Sequence, residues 1–290
     1  MNPLLRHFAS GHALFTGAAM LILAVVFGTL DRDRKRRVFT RLTTLVGLIV
    51  VAFSAAPLPL WLYLLWFSLA VVWLFLGGNA GEARARAALA TGAAVVLLAM
   101  LAVALELPWH LTPTVRPGNY EAVYIIGDSI TSGVGEKETW PAPDYAARCP
   151  VPVTDLSNPG ETVESALDMT GEIASSNAFV ILEIGGNDLL QSTPGEKFRD
   201  DLDALLGEVC APGRTVVMLE LPLLPMKNRF GRVQRRLARR YGVALIPKRH
   251  FAAVLTGENA TTDGLHLSRT GHERMARMMW EATSSAFRAE

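Results

Sequence analysis

Two hydrophobic patterns divide the chain. Up to about residue 110, apolar residues run on with no polar face. Four segments stand out: 13–30 (ALFTGAAMLILAVVFGTL), 40–57, 58–77 (LPLWLYLLWFSLAVVWLFLG) and 87–107 (AALATGAAVVLLAMLAVALEL). A membrane-spanning helix needs about 20 such residues, within a range of about 17–25. The first, third and fourth segments meet that length; the second is short. Pro57 and Pro59 mark a turn between the middle two, because proline cannot continue a helical hydrogen-bond ladder. The pattern predicts an all-α transmembrane region of about four helices over residues 1–115. A signal peptide at 13–30 followed by buried core helices fits poorly. Signal peptides carry their charge before the apolar run, and here the cluster follows it.

Beyond Arg116-Pro117-Gly118 the pattern changes. Short runs rich in β-branched residues recur at 121–127 (EAVYIIG), 151–157 (VPVTDLS), 178–185 (AFVILEIG), 215–221 (TVVMLEL) and 243–247 (VALIP). Helical stretches are predicted near 161–174, 196–209, 228–241 and 269–288. Apolar strands spaced by helices indicate a parallel sheet covered on both faces. Residues 116–290 are thus predicted to form an α/β domain, whose ligand site belongs at the carboxyl ends of its strands.

Charge adds an orientation. Residues 1–116 carry ten Lys/Arg against four Asp/Glu, whereas residues 117–290 carry eighteen against twenty-three. Within the first part the basic residues gather in the segments 31–41 (DRDRKRRVFTR) and 78–87 (GNAGEARARA). Cytoplasmic loops collect Lys and Arg. Placing both segments inside puts both termini outside. The α/β domain is then extracytoplasmic, which in a Gram-negative bacterium means the periplasmic side of the inner (cell) membrane. That sidedness holds only if 40–77 is a hairpin of two spans. Trp61 and Trp109 suit an interfacial aromatic belt on the outer side. No charge lies mid-span, and Glu106 sits near the end of the last segment. The region therefore reads as an anchor and not as a transport pathway.

The candidate chemistry lies where the strands end. The first runs into Gly127-Asp128-Ser129, the second is followed by Asn158-Pro159-Gly160, and the third runs into Gly185-Gly186-Asn187-Asp188. A late loop, TTDGLHLS, carries Asp263 and His266. A serine hydroxyl attacks only when a base takes its proton. A histidine, which titrates near neutrality, is suited to that role. A carboxylate on its far nitrogen holds the tautomer and stabilises the imidazolium. Ser129, His266 and Asp263 are the residues for these roles. The backbone N–H groups of Ser129 and Gly160 and the side-chain amide of Asn187 could face the developing oxyanion.

These four blocks, GDSI at 127–130, NPGET around Gly160, GGND at 185–188 and DGLH at 263–266, resemble the SGNH, or GDSL, hydrolase family. The resemblance covers about 120–288 and leaves out the apolar segments. It implies a flavodoxin-like, three-layer fold with strand order 2-1-3-4-5, and an esterase with Ser129 as nucleophile, His266 as base and Asp263 as orienting acid. Gly160 and Asn187 would join Ser129 in the oxyanion hole. No Gly-x-Ser-x-Gly elbow surrounds Ser129, which separates it from ordinary α/β-hydrolases. VILEIGGNDLL and RRYGVALIP look most like the branch of bacterial thioesterases, lysophospholipases and arylesterases.

The expected substrates are lysophospholipids, other lipid esters or acylated envelope glycans. Acyl-CoA thioester hydrolysis requires the opposite topology. Acyl transfer to a glycan and a non-catalytic membrane module that binds acylated ligands are the remaining alternatives. No cofactor and no metal is expected, since no His/Cys/Asp spacing supports a metal site. Nucleic acid is not an expected partner of an acidic domain outside the membrane; the lipid bilayer is. The sequence carries no signal of oligomeric state. Asp128 reads as a cap and Asp188 as a group bonding local backbone. His272, the rival base, reads as a surface or cap histidine, and His250 has no partner pattern. The basic helix 227–240 reads as a solvated helix packing by its apolar face, or as a contact for anionic lipid headgroups. Given the strand order implied by the resemblance, Cys149 and Cys210 precede strands roughly 14 Å apart, so a bridge requires the loops to close that gap.

Overall fold

The computed structural model of the chain describes residues 3–30, 34–76 and 81–288. Residues 31–33 and 78–80 of the two basic segments, on which the orientation reading leans, lie outside the described residues. The chain divides into two compact units. One comprises Leu111–Leu223 and Arg229–Glu290 with the N-terminal stretch up to Arg6; the other comprises His7–His110 with Leu224–Asn228.

The first unit is a parallel sheet of order β2-β1-β3-β4-β5. Its strands are β1 (Ala122–Gly127), β2 (Val153–Asp155), β3 (Ala178–Glu183), β4 (Thr215–Leu219) and β5 (Ala244–Ile246). Every residue of β3 is buried, as are all but the first of β1 and of β4. Strands enclosed on both faces have no solvent side to alternate with, which is why their sequences read as unbroken apolar runs. The edge strands are shorter than the pattern suggests, three residues each. At β2, Pro152 has no N–H to give the ladder. The Asp155 carboxylate then accepts from the backbone N–H of Ser157 at 3.0 Å, which turns the chain away.

Helices α6 (Ser129–Ser132), α7 (Gly186–Leu190), α8 (Gly195–Val209), α9 (Asn228–Tyr241), α10 (Lys248–Leu255) and α11 (Arg269–Thr283) alternate with the strands. The predicted helix 161–174 is a 3-10 segment, Ser165–Glu172, and α10 follows Pro247 where no helix was expected. The chain end closes on the sheet: the Phe287 and Tyr120 rings each lie 5.2 Å from Phe179. Ser285 Oγ donates to the Val115 carbonyl at 2.9 Å. Cys149 and Cys210 are both free thiols.

The second unit is helical. Its main helices are α2 (His12–Leu30), α3 (Arg34–Ala52), α4 (Leu60–Leu76) and α5 (Glu82–Glu106), preceded by the short α1 (Pro3–Ala9). Helix α2 packs on α3 and α5, and α4 packs on α5. Leu14, Leu21, Leu62, Trp66, Val95 and Ala99 form the core of the unit. A Cβ on Gly17 would lie 2.9 Å from the Gly47 carbonyl, so glycine is what lets α2 and α3 approach so closely. Each of the four apolar segments is largely helical, but among the described residues only two helices, over His12–Thr29 and Glu82–His110, are long and apolar enough to cross a membrane. The helix within 58–77 is shorter and stands at the lower limit of the spanning range. The proline-marked turn delays the helix to Leu60, and it covers 17 residues. Glu106, the last residue of α5, is fully buried, with Oε1 3.6 Å from His110 Nε2.

Candidate active site

Strand β1 ends at Gly127, and the chain turns at once into α6. A Cβ on Gly127 would meet Thr131 Oγ1 at 2.5 Å, so only glycine lets Thr131 fold back over the strand end. Asp128 caps the turn: its Oδ1 accepts the Ile130 N–H at 2.9 Å. Ser129, at the first helical position, is largely buried. Its own backbone N–H has no acceptor among the described residues.

The late loop carries the candidate base, His266. His266 Nδ1 lies 2.7 Å from Asp263 Oδ2. With the Nδ1 proton donated to that carboxylate, Nε2 carries the lone pair. Asp263 Oδ1 accepts the backbone N–H groups of Leu265 (2.9 Å) and His266 (2.8 Å), which locks the carboxylate in place. These bonds hold Asp263 well below the usual carboxylate range, the His266 side chain contributing most. The loop is closed by the Thr262 N–H on the His266 carbonyl at 2.9 Å. Ser268 then caps α11 by accepting from Gly271 N–H.

The oxyanion candidates stand on the neighbouring loops. Gly160 sits at φ +86°, and nothing lies within 4 Å of where a Cβ would be added. Asn187 Nδ2 donates to the Glu161 carbonyl at 2.8 Å, and its second amide hydrogen is left over. Asp188 bonds the loop that carries Gly160, accepting from Val163 N–H at 2.9 Å. That partner lies 25 residues away and is not the local backbone expected from the sequence. The structure thus ties the Gly160 loop to the Asn187 turn and pairs His266 with Asp263. Ser129 Oγ and His266 make no direct hydrogen bond among the described residues, as often holds before substrate tightens a site.

Sequence reasoning missed the floor beneath Ser129. Glu183, the last residue of β3, is completely buried beside Asp128. Its Oε2 accepts from Thr131 Oγ1 at 2.8 Å, and Thr131 Oγ1 accepts from Trp140 Nε1 at 3.2 Å. Burial pushes Glu183 well above the usual carboxyl range, and the charge of Asp128 adds to the rise. Burial likewise raises Asp128 to about 6, against the pull of Ile130 N–H and of the positive charge His266 would carry. The signal was a lone glutamate in the apolar run AFVILEIG. His272 is not the surface or cap residue expected from the sequence. It is buried, accepts Trp140 N–H on Nδ1 at 3.2 Å, and is held below its usual range by burial. Among the described residues, no cluster of three or more His, Cys, Asp or Glu could hold a metal ion.

The family model described as "GDSL-like Lipase/Acylhydrolase family" matches residues 125–274, from β1 into α11. The chain belongs to the GDSL-like lipase/acylhydrolase family. Membership in this GDSL family makes the protein a serine hydrolase acting on esters. No curated protein matches the sequence. Among solved structures, the crystal structure of TesA is 23% identical with a TM-score of 0.50, covering 56% of this chain and 97% of that one. TesA therefore shares the fold. Also similar are the psychrotrophic esterase EstA from Pseudoalteromonas sp. (18% identity, TM-score 0.49, 57% of this chain and 97% of that one) and the SGNH-hydrolase esterase AlinE4 (21%, 0.44, 59% and 99%). The GDSL match leaves out His7–His110, the bulk of the helical unit.

Proposed function

We propose that the protein is a membrane-anchored serine esterase acting on lipid esters, lysophospholipids or acylated envelope glycans, with Ser129 as the nucleophile. The observation that carries this reading is the 2.7 Å pairing of His266 Nδ1 with Asp263, which leaves Nε2 as a base. His266 Nε2 takes the Ser129 hydroxyl proton as Oγ attacks the ester carbonyl. The oxyanion receives the unclaimed N–H groups of Ser129 and Gly160 and the spare Asn187 amide hydrogen. His266 returns the proton to the departing alcohol, and an acyl-enzyme forms. Water, deprotonated by His266, then releases the acid and restores Ser129. Ser129→Ala is expected to abolish ester hydrolysis in a folded protein, and retained turnover would overturn the assignment.

The anchor is supported by the outward faces of the helical unit. Leu42, Ile49, Leu64, Phe75, Leu97 and Met100 are all large, apolar and exposed, on the three successive helices α3, α4 and α5 around a buried core. A surface of that kind is satisfied by lipid. The basic segments support an extracytoplasmic α/β domain in the inner (cell) membrane. An acyl-CoA thioesterase is the second reading and requires a cytoplasmic domain. A reporter fused after Glu290 separates the two: periplasmic activity supports the esterase, cytoplasmic activity the thioesterase.

A further inference from the structure

Beneath the proposed nucleophile lies a carboxyl group the reaction does not use. Glu183 ends the central strand in register with Gly127, and its carbonyl accepts the Asp128 N–H at 3.3 Å. It is fully buried. One carboxyl oxygen, Oε2, accepts from Thr131 Oγ1; the other, Oε1, is buried with no hydrogen-bond partner. No Lys, Arg or His forms an ion pair with it among the described residues. An ionised glutamate there would have lost its water and gained a single hydrogen bond, an expensive arrangement. Its neighbour Asp128 is an acceptor. Asp128 Oδ1 is engaged by Ile130 N–H, and Oδ2 lies beside Gly186, where an added Cβ would approach to 3.0 Å.

We propose that Glu183 is a neutral carboxylic acid that donates its proton to Asp128, and that this one-proton carboxyl pair is the positioning device for the Ser129 turn. The inference rests on the reading of Ser129 as nucleophile. The pair needs no further donor. Asp128 then accepts from Glu183 and from Ile130 N–H, while Glu183 accepts from Thr131. The four-residue turn is thereby pinned to β3 at two points, Asp128 just before it and Thr131 within it. Ser129 N–H takes no part in these bonds and stays directed to substrate. The charged groups that act on Asp128 are Glu183 on β3, Asp188 on α7 and His266 on the late loop; on Glu183 the acting charge is Asp128. Thr131 and Trp140, which complete the enclosure, are uncharged. Removal of the shared proton at high pH leaves two adjoining buried carboxylates, which repel and release the cap.

The test uses the full-length protein in detergent micelles with p-nitrophenyl butyrate, comparing wild type, Glu183→Gln and Glu183→Leu. Glutamine can still donate to Asp128 and accept from Thr131; leucine can do neither. The leucine variant is expected to lose kcat about tenfold to a hundredfold, the loss for deleting a hydrogen bond to a charged group, with KM little moved. The glutamine variant is expected to recover most of that loss. Its alkaline limb in kcat against pH should lie at higher pH than in wild type, because an amide has no proton to lose. An infrared difference spectrum, wild type minus Glu183→Gln at pH 7, reports the protonation directly, even if the leucine variant fails to fold. A carboxylic-acid carbonyl band is expected. A carboxylate band, or glutamine as damaged as leucine, overturns the proposal. A wild-type protein inert to fluorophosphonate, or an active Ser129→Ala, would instead show that the nucleophile reading had failed.

Discussion

Replacing Asp263 with asparagine changes a single atom, and the structure states what that atom does. Asp263 Oδ1 accepts the backbone N–H groups of Leu265 and His266 at 2.9 and 2.8 Å. In Asp263→Asn the carbonyl oxygen keeps that position, because the amide nitrogen has no lone pair for either donor. The NH2 group is therefore forced to face His266 Nδ1, 2.7 Å from the present Oδ2. It donates where the carboxylate accepted, so Nδ1 must become the acceptor and the ring proton moves to Nε2. A ring protonated at Nε2 cannot take a proton from Ser129. The loss of kcat is expected to be on the order of 10³–10⁴-fold, the scale of the same exchange in serine proteases. Loop geometry and thermal stability should stay close to wild type, because both backbone bonds survive. The assay is p-nitrophenyl ester turnover with a melting curve on the same sample. An asparagine variant with more than about a tenth of wild-type kcat would refute the reasoning, since the wrong tautomer would then be no obstacle.

Other consequences follow from burial and backbone geometry. Gly160→Ala places a residue with a side chain at φ +86° and is expected to cost about 1–2 kcal/mol in chemical denaturation, with a fall in kcat from the methyl group beside the proposed oxyanion donor. Phe179→Ala empties a fully buried site between Tyr120 and Phe287 and is expected to cost about 3–5 kcal/mol in urea unfolding of the α/β unit. Burial raises Asp128 to about 6, whereas an unfolded aspartate titrates near 4, so the native state holds the extra proton between those values. Its contribution to stability is therefore fully present below about pH 4 and lost as pH rises through 6, and Asp128→Asn should flatten that part of the melting temperature against pH. Glu183 acts in the same direction at higher pH and leaves a residual slope in that variant.

The sheet was legible where burial leaves no choice. Strands β1, β3 and β4 are enclosed on both faces, so their letters are almost all apolar and their ends are sharp. The edge strands were overextended because β-branched residues continue past the last ladder bond, as around Val151 and Val243. Asp263 and His266 lie three residues apart, and their pairing could be read locally. Asp188 and His272 could not. Their partners, Val163 and Trp140, stand 25 and 132 residues away, and no periodicity encodes a contact of that kind. Glu183 was hidden for the same reason, since Thr131 is 52 residues distant. In the helical unit, composition alone located all four helices but overstated the length of α4, because the turn at Pro57 and Pro59 takes residues from it.

The most direct test of the central claim is covalent. The full-length protein is incubated with a fluorophosphonate probe at neutral pH, digested, and the labelled peptide is sequenced by mass spectrometry. One adduct is expected, on Ser129, with labelling abolished in Ser129→Ala and slowed in His266→Ala, which lacks the base. An unlabelled Ser129 in a protein that still hydrolyses esters, or an adduct on another serine, would contradict the account.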